Sequence, residues 1–565
     1  MSESANIARH LPLMAARQPG RAAVKIPRGL RGDQIDYLTL SFAELDAEVD
    51  AWAAKLTRAG VQRGDRVLVM VRQGLPLIAA AFALFKLGAV PVIIDPGMGR
   101  KSFLACVARS QPRVLLGIPL AQVMSHIFRS AFASVKIRVW ASGSPTARLS
   151  FGSQLSTPNS QPAASAATDL AAILFTSGST GAPKGVCYEH GMFEAQVRLI
   201  RDTYAIEPGE IDLPMLPIFA LFNPALGMTT VVPEIDPSRP ATVDPAKIVR
   251  AIQQEKVTNT FGSPTLWRII ARHCLANRIT LPSVKRVLMA GAPVPPALFA
   301  DLQKILPNGT AYSPYGATES LPVASISARE VLEETAAKTA IGAGTCVGRP
   351  VKDIEVGIIA ITDARIVSLS DVRQLPVGEI GEIIVRGPVV TKAYDALPDA
   401  TAAAKISDSQ PGPATVWHRM GDLGYLDAAG RLWFCGRKAE RVETKLGPLY
   451  TEQVEPIYNA HPAVARSALI GTGHDGRRAA IVIEPVSREV VATPSLRRKL
   501  VRELRELSAA HAHTDRIRLT YLHPHFPVDV RHNAKIHRLK LAAWAVGRHG
   551  YESDKREVPR EVLQK

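Results

Sequence analysis

The chain has 565 residues, too many for one ordinary domain, and 47% of them are hydrophobic, enough to build full cores. Its 68 Lys plus Arg against 51 Asp plus Glu give a net charge of +17. A basic surface can favour nucleic acid, but the cations are interleaved with acids (RRKLVRELRELS) and no nucleic-acid-reading motif accompanies them, so a nucleic-acid partner is excluded.

Cys106, Cys187, Cys274, Cys346 and Cys435 lie far apart with no C-x-x-C pair. That set fits reduced thiols in a cytoplasmic protein and argues against a disulfide frame or a zinc site. The N-terminus, MSESANIARHLPLMAARQPG, has no uninterrupted apolar core, so no signal peptide is read there.

RVLVMV (66–71) predicts a strand, and LPLIAAAFALFKLGAVPVIIDPG, from Leu75, a helix followed by a second strand. Lys86, Gly88 and Pro91 break that stretch, which excludes a transmembrane segment. Together these pieces make a βαβ unit, and the pattern recurs in KIVRAIQQEKVTNTFGSP and VKRVLMAGAPVP. The fold class expected is α/β (mixed α+β), with helices covering largely parallel sheets. Two stretches of low complexity, Ser142 to Asp169 and Asp395 to Thr415, read as flexible surface connections. A boundary is expected at CGRKAERVET, giving a domain over 1–437 and a smaller one over 438–565. From Glu440 to Lys565 the chain carries +7 of the net charge, and the smaller domain reads as a helix (TEQVEPIYNAHPAV), two strands (SALIG, AAIVIEP), a basic helix and a strand into FPVDV.

ILFTSGSTGAPKGVCYEH, from Ile173 to His190, has the end of a buried strand running into a loop of Ser, Thr and Gly. Free backbone N–H groups and hydroxyls in such a loop can wrap a phosphate chain, and Lys184 adds a point charge. The loop is not a G-x-x-x-x-G-K-[ST] motif, because Pro183 precedes the lysine and Gly185 follows it. Taken alone, it fits an anion cradle or a hairpin with solvated hydroxyls. AYSPYGATES brings Tyr315, Thr318 and Glu319 into one turn, able respectively to stack on a base, hold a phosphoryl oxygen and bind Mg²⁺. WHRMGDLGYLD offers Asp422 for ribose hydroxyls, WFCGRKAERVE offers Arg437, and VRHNAKIHRLKL offers Lys535. Seven of the 14 histidines lie between His511 and His549, without the carboxylate or Cys spacing of a zinc site.

In this order the motifs resemble the adenylate-forming superfamily of acyl-CoA synthetases, peptide-synthetase adenylation domains and luciferases. The resemblance covers nearly the whole chain. It implies a large N-terminal domain of stacked α/β sheets, a small mobile C-terminal domain, and attack of a carboxylate on Mg-ATP to give acyl-AMP. Carried over residue by residue, Thr176, Ser177, Gly178, Ser179, Thr180, Gly181 and Lys184 would hold the β- and γ-phosphates. Gly291, Ala292, Pro293 and Tyr315, with Gly316 and Ala317, would flank the nucleotide. Thr318 would touch the α-phosphate, Glu319 would bind Mg²⁺, and Asp422 and Arg437 would hold the ribose. Lys535 would bridge substrate carboxylate and phosphate, so Lys535, Lys184 and Thr318 form the expected catalytic set, with ATP and Mg²⁺ as cofactors.

Departures from the common pattern narrow the resemblance. Ala439 stands where the hinge is usually Asp or Lys, and eight positions rather than six lead from Pro527 to Lys535, with Ala534 in place of Gly. LPIFALFNPALG lacks the polar residue that often follows the aromatic at Phe219. With FGSPTLW and GPLYTEQVEP, these features resemble the branch of β-lactone synthetases in bacterial long-chain olefin biosynthesis. That branch implies a long-chain 2-alkyl-3-hydroxy acid substrate whose own hydroxyl closes the lactone, with Phe219, Phe222 and Gly262 in the substrate pocket. It also implies a complex with a reductase and a β-lactone decarboxylase. His532 is a candidate proton acceptor or simply a loop histidine. A long- or medium-chain fatty acyl-CoA synthetase is the alternative.

Overall fold

The computed structural model describes residues 4–141, 161–175, 182–236, 239–408, 416–473, 475–528 and 536–552. Among them the fold is mixed α/β, as expected, but its two large sheets are only partly parallel.

The first βαβ unit forms as read. Arg66–Met70 and Val90–Ile93 pair in parallel across the helix Leu75–Leu87, which ends at Gly88 in the left-handed region (φ 67°). That helix is buried along its length, with Ala79, Phe82, Ala83 and Leu84 at most 1% exposed. Its unbroken apolar run therefore reflects packing on all sides inside the protein. The six-stranded sheet around it runs Ile137–Trp140, Val114–Gly117, Arg66–Met70, Val90–Ile93, Leu170–Phe175 and Gly185–Glu189. Only its last pair is antiparallel. A Cβ on Gly185 would meet the Phe175 ring at 2.8 Å, so glycine is what lets this hairpin close.

The largest sheet has a parallel centre, in which Ile211–Pro214, Asn259–Gly262, Arg286–Met289 and Thr310–Ala317 are neighbours. Beyond it the hairpin Thr310–Ala317/Ser320–Ser327 turns the sheet antiparallel, through Thr345–Pro350, Leu432–Arg437 and Val416–Leu426. Switching from parallel to antiparallel at the Tyr315–Glu319 turn places that turn at the carboxyl ends of the parallel strands, where α/β sheets hold their ligands. Further along the chain, Val464–Thr472, Arg478–Pro485, Leu519–Leu522 and Tyr551–Glu552 form a separate four-stranded sheet. The helices Thr451–Asn459 and Pro494–Ala509 pack on it. The strand expected into FPVDV is Leu519–Leu522, and beyond it Val528 makes an isolated bridge to Ile536.

The expectation of a loose connection is corrected between Asp395 and Asp408, while residues 142–160 and 409–415 of the two low-complexity stretches lie outside the described residues. The segment from Asp395 is ordered structure: Pro398–Ala404 is a helix and Lys405–Ser407 a strand paired with Val416–Leu426. Ile406 is fully buried there, which outweighs the weak local signal of DATAAAK. In the earlier stretch, the part from Gln161 lies against the N-terminal segment, where Asn6 donates to the Ala163 carbonyl at 3.0 Å.

Candidate functional site

The turn between Thr310–Ala317 and Ser320–Ser327 carries Thr318 and Glu319. A Cβ on Gly316 would come within 2.5 Å of the Ser320 carbonyl, so the turn needs glycine to fold this tightly. Its backbone is clamped from outside. The Tyr188 hydroxyl donates to the Thr318 carbonyl, and Thr391 donates to the Glu319 carbonyl through both its N–H (2.9 Å) and its Oγ1 (3.1 Å). Fixing both carbonyls aims the Thr318 and Glu319 side chains without using them.

A line of charge surrounds Glu319. The Tyr394 hydroxyl donates to its Oε1 at 2.9 Å, and Lys184 Nζ lies 4.7 Å from the centre of the same tyrosine ring. Lys405 is on the ring's neighbourhood too, at 5.9 Å, and donates to the carbonyl and hydroxyl of Thr391. Lys405 is 8% exposed, and burial pulls its amine down from 10.5 to about 7, with Glu319 pushing it up and Lys184 pushing it further down. Burial likewise holds His418 neutral, well below the ordinary histidine range, its Nδ1 3.2 Å from the Ala404 carbonyl. Sequence reasoning places Lys184 and Glu319 here. It misses Tyr394, Thr391 and Lys405, which belong to no recognisable motif, and Tyr188, which lies within the Ile173–His190 stretch but is given no role there.

Asp422, on Val416–Leu426, pairs in register with Arg437, the last residue of the next strand. Its Oδ1 is 2.9 Å from Arg437 Nη1, and its Oδ2 accepts from the Tyr315 hydroxyl at 2.6 Å. Three expected nucleotide residues thus form one connected group. Burial, then Asp422, raises the Tyr315 hydroxyl well above its ordinary range, so it is a donor at any working pH. Gly291, Ala292 and Pro293 follow the strand Arg286–Met289, and Gly291 takes φ 95° at the corner, a conformation that favours glycine.

A narrow apolar pocket opens beside these elements. Phe219 and Phe222 line it, with Tyr204, Phe261, Leu321 and Pro322 among others. Phe219 stacks on Phe261 with ring centres 3.6 Å apart. Gly262 is not in the wall; its missing side chain makes room for Met215 Cε and the Trp267 indole. Polar side chains line one side of the pocket: the Asp212 carboxylate accepts from Asn223 (2.9 Å) and Asn259 (2.8 Å), which also line it, and is raised by burial to about 6.

Residues 176–181, with Thr176 to Gly181 of the expected phosphate loop, and residues 529–535, with His532 and Lys535, lie outside the described residues. Both ends of the Lys535 segment are placed. Val528 bridges Ile536, and Arg538 donates to both oxygens of Glu455 (2.8 and 2.7 Å) and to Glu440 at 2.7 Å. Glu440 follows Ala439 at the expected hinge, so one guanidinium ties the hinge to the lysine-bearing segment. Glu452, one turn before Glu455, is raised by burial to about 7 and accepts from Thr345 at 2.6 Å. Among the described residues no three His, Cys, Asp or Glu gather to hold a metal, and no helix is long and apolar enough to cross a membrane.

Residues 13–395 match the model of the AMP-binding enzyme family. The chain is 47% identical over 555 residues to an olefin beta-lactone synthetase of Stenotrophomonas maltophilia, covering 96% of this chain and 99% of that one. To an olefin beta-lactone synthetase of Xanthomonas campestris it is 48% identical over 554 residues, covering 96% and 98%. In fold it is similar to an amide bond synthetase from Marinactinospora thermotolerans (TM-score 0.76, 23% identity, 96% and 99% covered). It is also similar to an O-succinylbenzoate coenzyme A synthetase from Bacillus subtilis in complex with ATP and a magnesium ion (TM-score 0.71, 21% identity, 94% and 99% covered). The motif order, the clamped turn at Glu319 and the family match over more than half of the chain agree: the protein belongs to the AMP-binding enzyme family of adenylate-forming ligases.

Proposed function

We propose that the protein adenylates a long-chain 2-alkyl-3-hydroxy acid and closes it to a β-lactone, as an olefin β-lactone synthetase. The observation that carries this reading is the near-complete coverage of two olefin beta-lactone synthetases at 47% and 48% identity. An acyl-CoA synthetase is the less favoured alternative.

In the first step a carboxylate oxygen attacks the α-phosphorus of ATP, the acyl-phosphate bond forms, and pyrophosphate leaves. The protein's part is charge neutralisation and alignment. Lys184 and the hydroxyl-rich loop before it would hold the polyphosphate, Thr318 would touch the α-phosphate, and Lys535 would bridge carboxylate and phosphate. The Tyr315–Asp422–Arg437 group and Gly291, Ala292 and Pro293 frame the nucleoside. Mg²⁺ fits Glu319: a single carboxylate backed by Tyr394 suits a cation that takes its other ligands from phosphates and water. Bound there, Mg²⁺ supplies neutralising charge to the polyphosphate.

In the second step the 3-hydroxyl oxygen attacks the activated carbonyl carbon, its proton passes to solvent water, and the four-membered ring closes as the acyl–phosphate bond breaks and AMP leaves. An alkoxide-like nucleophile inside the substrate needs no second substrate channel. The apolar cavity at Phe219 and Phe222 suits an alkyl chain. Association with a reductase and a β-lactone decarboxylase, and a cytoplasmic location, follow from the same reading.

The test is a 2-alkyl acid lacking the 3-hydroxyl, given with ATP and Mg²⁺. Pyrophosphate should be released in a burst of about one equivalent and acyl-AMP should persist, because activation does not need the hydroxyl but ring closure does. Coenzyme A should not relieve the stall. Multiple turnovers with a thioester product on adding coenzyme A would replace this reading with the acyl-CoA synthetase one.

A further inference from the structure

The helix Pro119–Ile127 is turned inside out. Its buried residues are Ala121, Gln122 and Ser125, while Leu120 (64% exposed), Val123 (51%) and Ile127 (66%) face outward. The inward face has a structural reason to be small and polar. Gly117 and Ala121 are so close that a Cβ on the glycine would lie 2.7 Å from that of the alanine. Gln122 donates to the Gly117 and Val139 carbonyls (3.4 and 3.0 Å), tying the helix to two strand ends. Among the described residues nothing packs on the outward face: three large aliphatic side chains at i, i+3 and i+7 make a continuous stripe. Trp140, 51% exposed, ends the edge strand Ile137–Trp140 of the same sheet.

The charge around this stripe is one-sided. From Pro96 to Ala141 the chain has seven Lys or Arg and no Asp or Glu, so these 46 residues carry +7 of the net +17. Contacts fix several cations at the rim. Arg100 lies 5.9 Å from the Phe128 ring, Arg129 Nε donates to the His126 carbonyl, and Arg138 Nε donates to Ser125 Oγ. Lys55, from another helix, donates to the Trp140 carbonyl at 2.7 Å. Among the described residues, Arg100, Lys101, Arg129, Lys136 and Arg138 are in no ion pair.

We propose that the Leu120/Val123/Ile127 stripe, with Trp140 and its rim of cations, is a docking face for an anionic lipid surface. Aliphatic side chains enter the acyl boundary, the indole lies at headgroup depth, and the cations meet the phosphates. A segment that carries seven cations and no acid favours an anionic bilayer over a neutral one. The face is at the edge of the six-stranded sheet opposite the Leu170–Phe175/Gly185–Glu189 hairpin that flanks the phosphate loop, so docking leaves the nucleotide side open. The inference does not depend on which acid is activated.

The test is co-sedimentation of the full chain with vesicles of phosphatidylcholine containing 30% phosphatidylglycerol, and with pure phosphatidylcholine vesicles. Wild type should pellet with the anionic vesicles, release in 0.5 M NaCl, and bind neutral vesicles at least tenfold more weakly. The variant Leu120→Ser/Ile127→Ser, changed only at exposed positions, should lose at least tenfold in anionic-vesicle binding while keeping its rate of pyrophosphate release with a water-soluble acid. Arg129→Glu/Lys136→Glu should lose the preference for anionic vesicles. A wild type that stays in the supernatant, or a serine variant that binds as well as wild type, overturns the proposal. So does a dimer in light scattering that the serine variant abolishes without any vesicle binding, which would assign the face to a second copy of the chain.

Discussion

Replacing Lys405 by methionine should make the protein more stable near neutral pH, by an amount that shrinks as the pH rises. The amine is buried beside Lys184 and held at about 7, against 10.5 when free. Above pH 10.5 it is neutral in both the folded and the unfolded chain, and its charge costs nothing. Between 10.5 and 7 the unfolded chain binds a proton that the folded chain does not, so wild type loses stability as pH falls, by about 1.4 kcal/mol per pH unit. Below pH 7 both states bind it and the deficit is complete, at about 5 kcal/mol by the same conversion. Methionine removes that cost, but leaves the Thr391 carbonyl and hydroxyl without the lysine donor, an offset of about 1–3 kcal/mol. The offset does not vary with pH, so the slope is the decisive quantity. Equilibrium urea unfolding followed by tryptophan fluorescence at pH 7.5, 8.5 and 9.5 should show the variant's advantage falling by about 1.4 kcal/mol per pH unit. Parallel stability curves for the two proteins would refute the reasoning and mean that Lys405 is not held near 7. The same variant should release pyrophosphate more slowly, since the lost amine holds the Thr391 clamp on the Glu319 carbonyl.

Glu319→Gln should slow pyrophosphate release by about 100-fold or more, as expected when a charge that aligns the transition state is removed; rates near wild type at every Mg²⁺ concentration would take Glu319 out of the metal site. Lys535→Ala should abolish turnover while leaving ATP affinity by calorimetry within a few-fold, and a large loss of affinity would make the lysine structural. Arg538→Ala should destabilise the chain by about 3–5 kcal/mol, because it leaves the Glu455 and Glu440 carboxylates buried without their cation. An unfolding midpoint equal to wild type would show that the guanidinium does not carry that cluster.

The residues legible in the sequence are those whose chemistry is bound to a local backbone shape. Gly316 and Gly291 are demanded by a close approach and a positive φ, and the polar residues beside them travel in the same short string. The βαβ unit at Leu75 is legible for a similar reason, since an apolar run of that length can only be a buried helix once Lys86 and Pro91 interrupt it. Lys405 is illegible because nothing local marks it: it ends a run of Ala and Thr that reads as a loose connection, and its burial comes from pairing with Val416–Leu426. Tyr394 is likewise an ordinary aromatic until the fold sets its hydroxyl on Glu319.

These two residues bear on how the adenylating side is built. A polyphosphate site must hold several cations near one another before its anion arrives, and their repulsion has to be absorbed by the fold. Here Lys184 and Lys405 are both placed about Tyr394, whose ring face attracts each of them and whose hydroxyl is spent on the one carboxylate between. Burial draws the Lys405 amine down to about 7, so near neutral pH the two lysines about Tyr394 need not both be charged. The backbone clamp works in the same direction: with the Thr318 and Glu319 carbonyls held by Tyr188 and Thr391, the turn is fixed by groups that take no part in binding, and its side chains are left to meet the nucleotide.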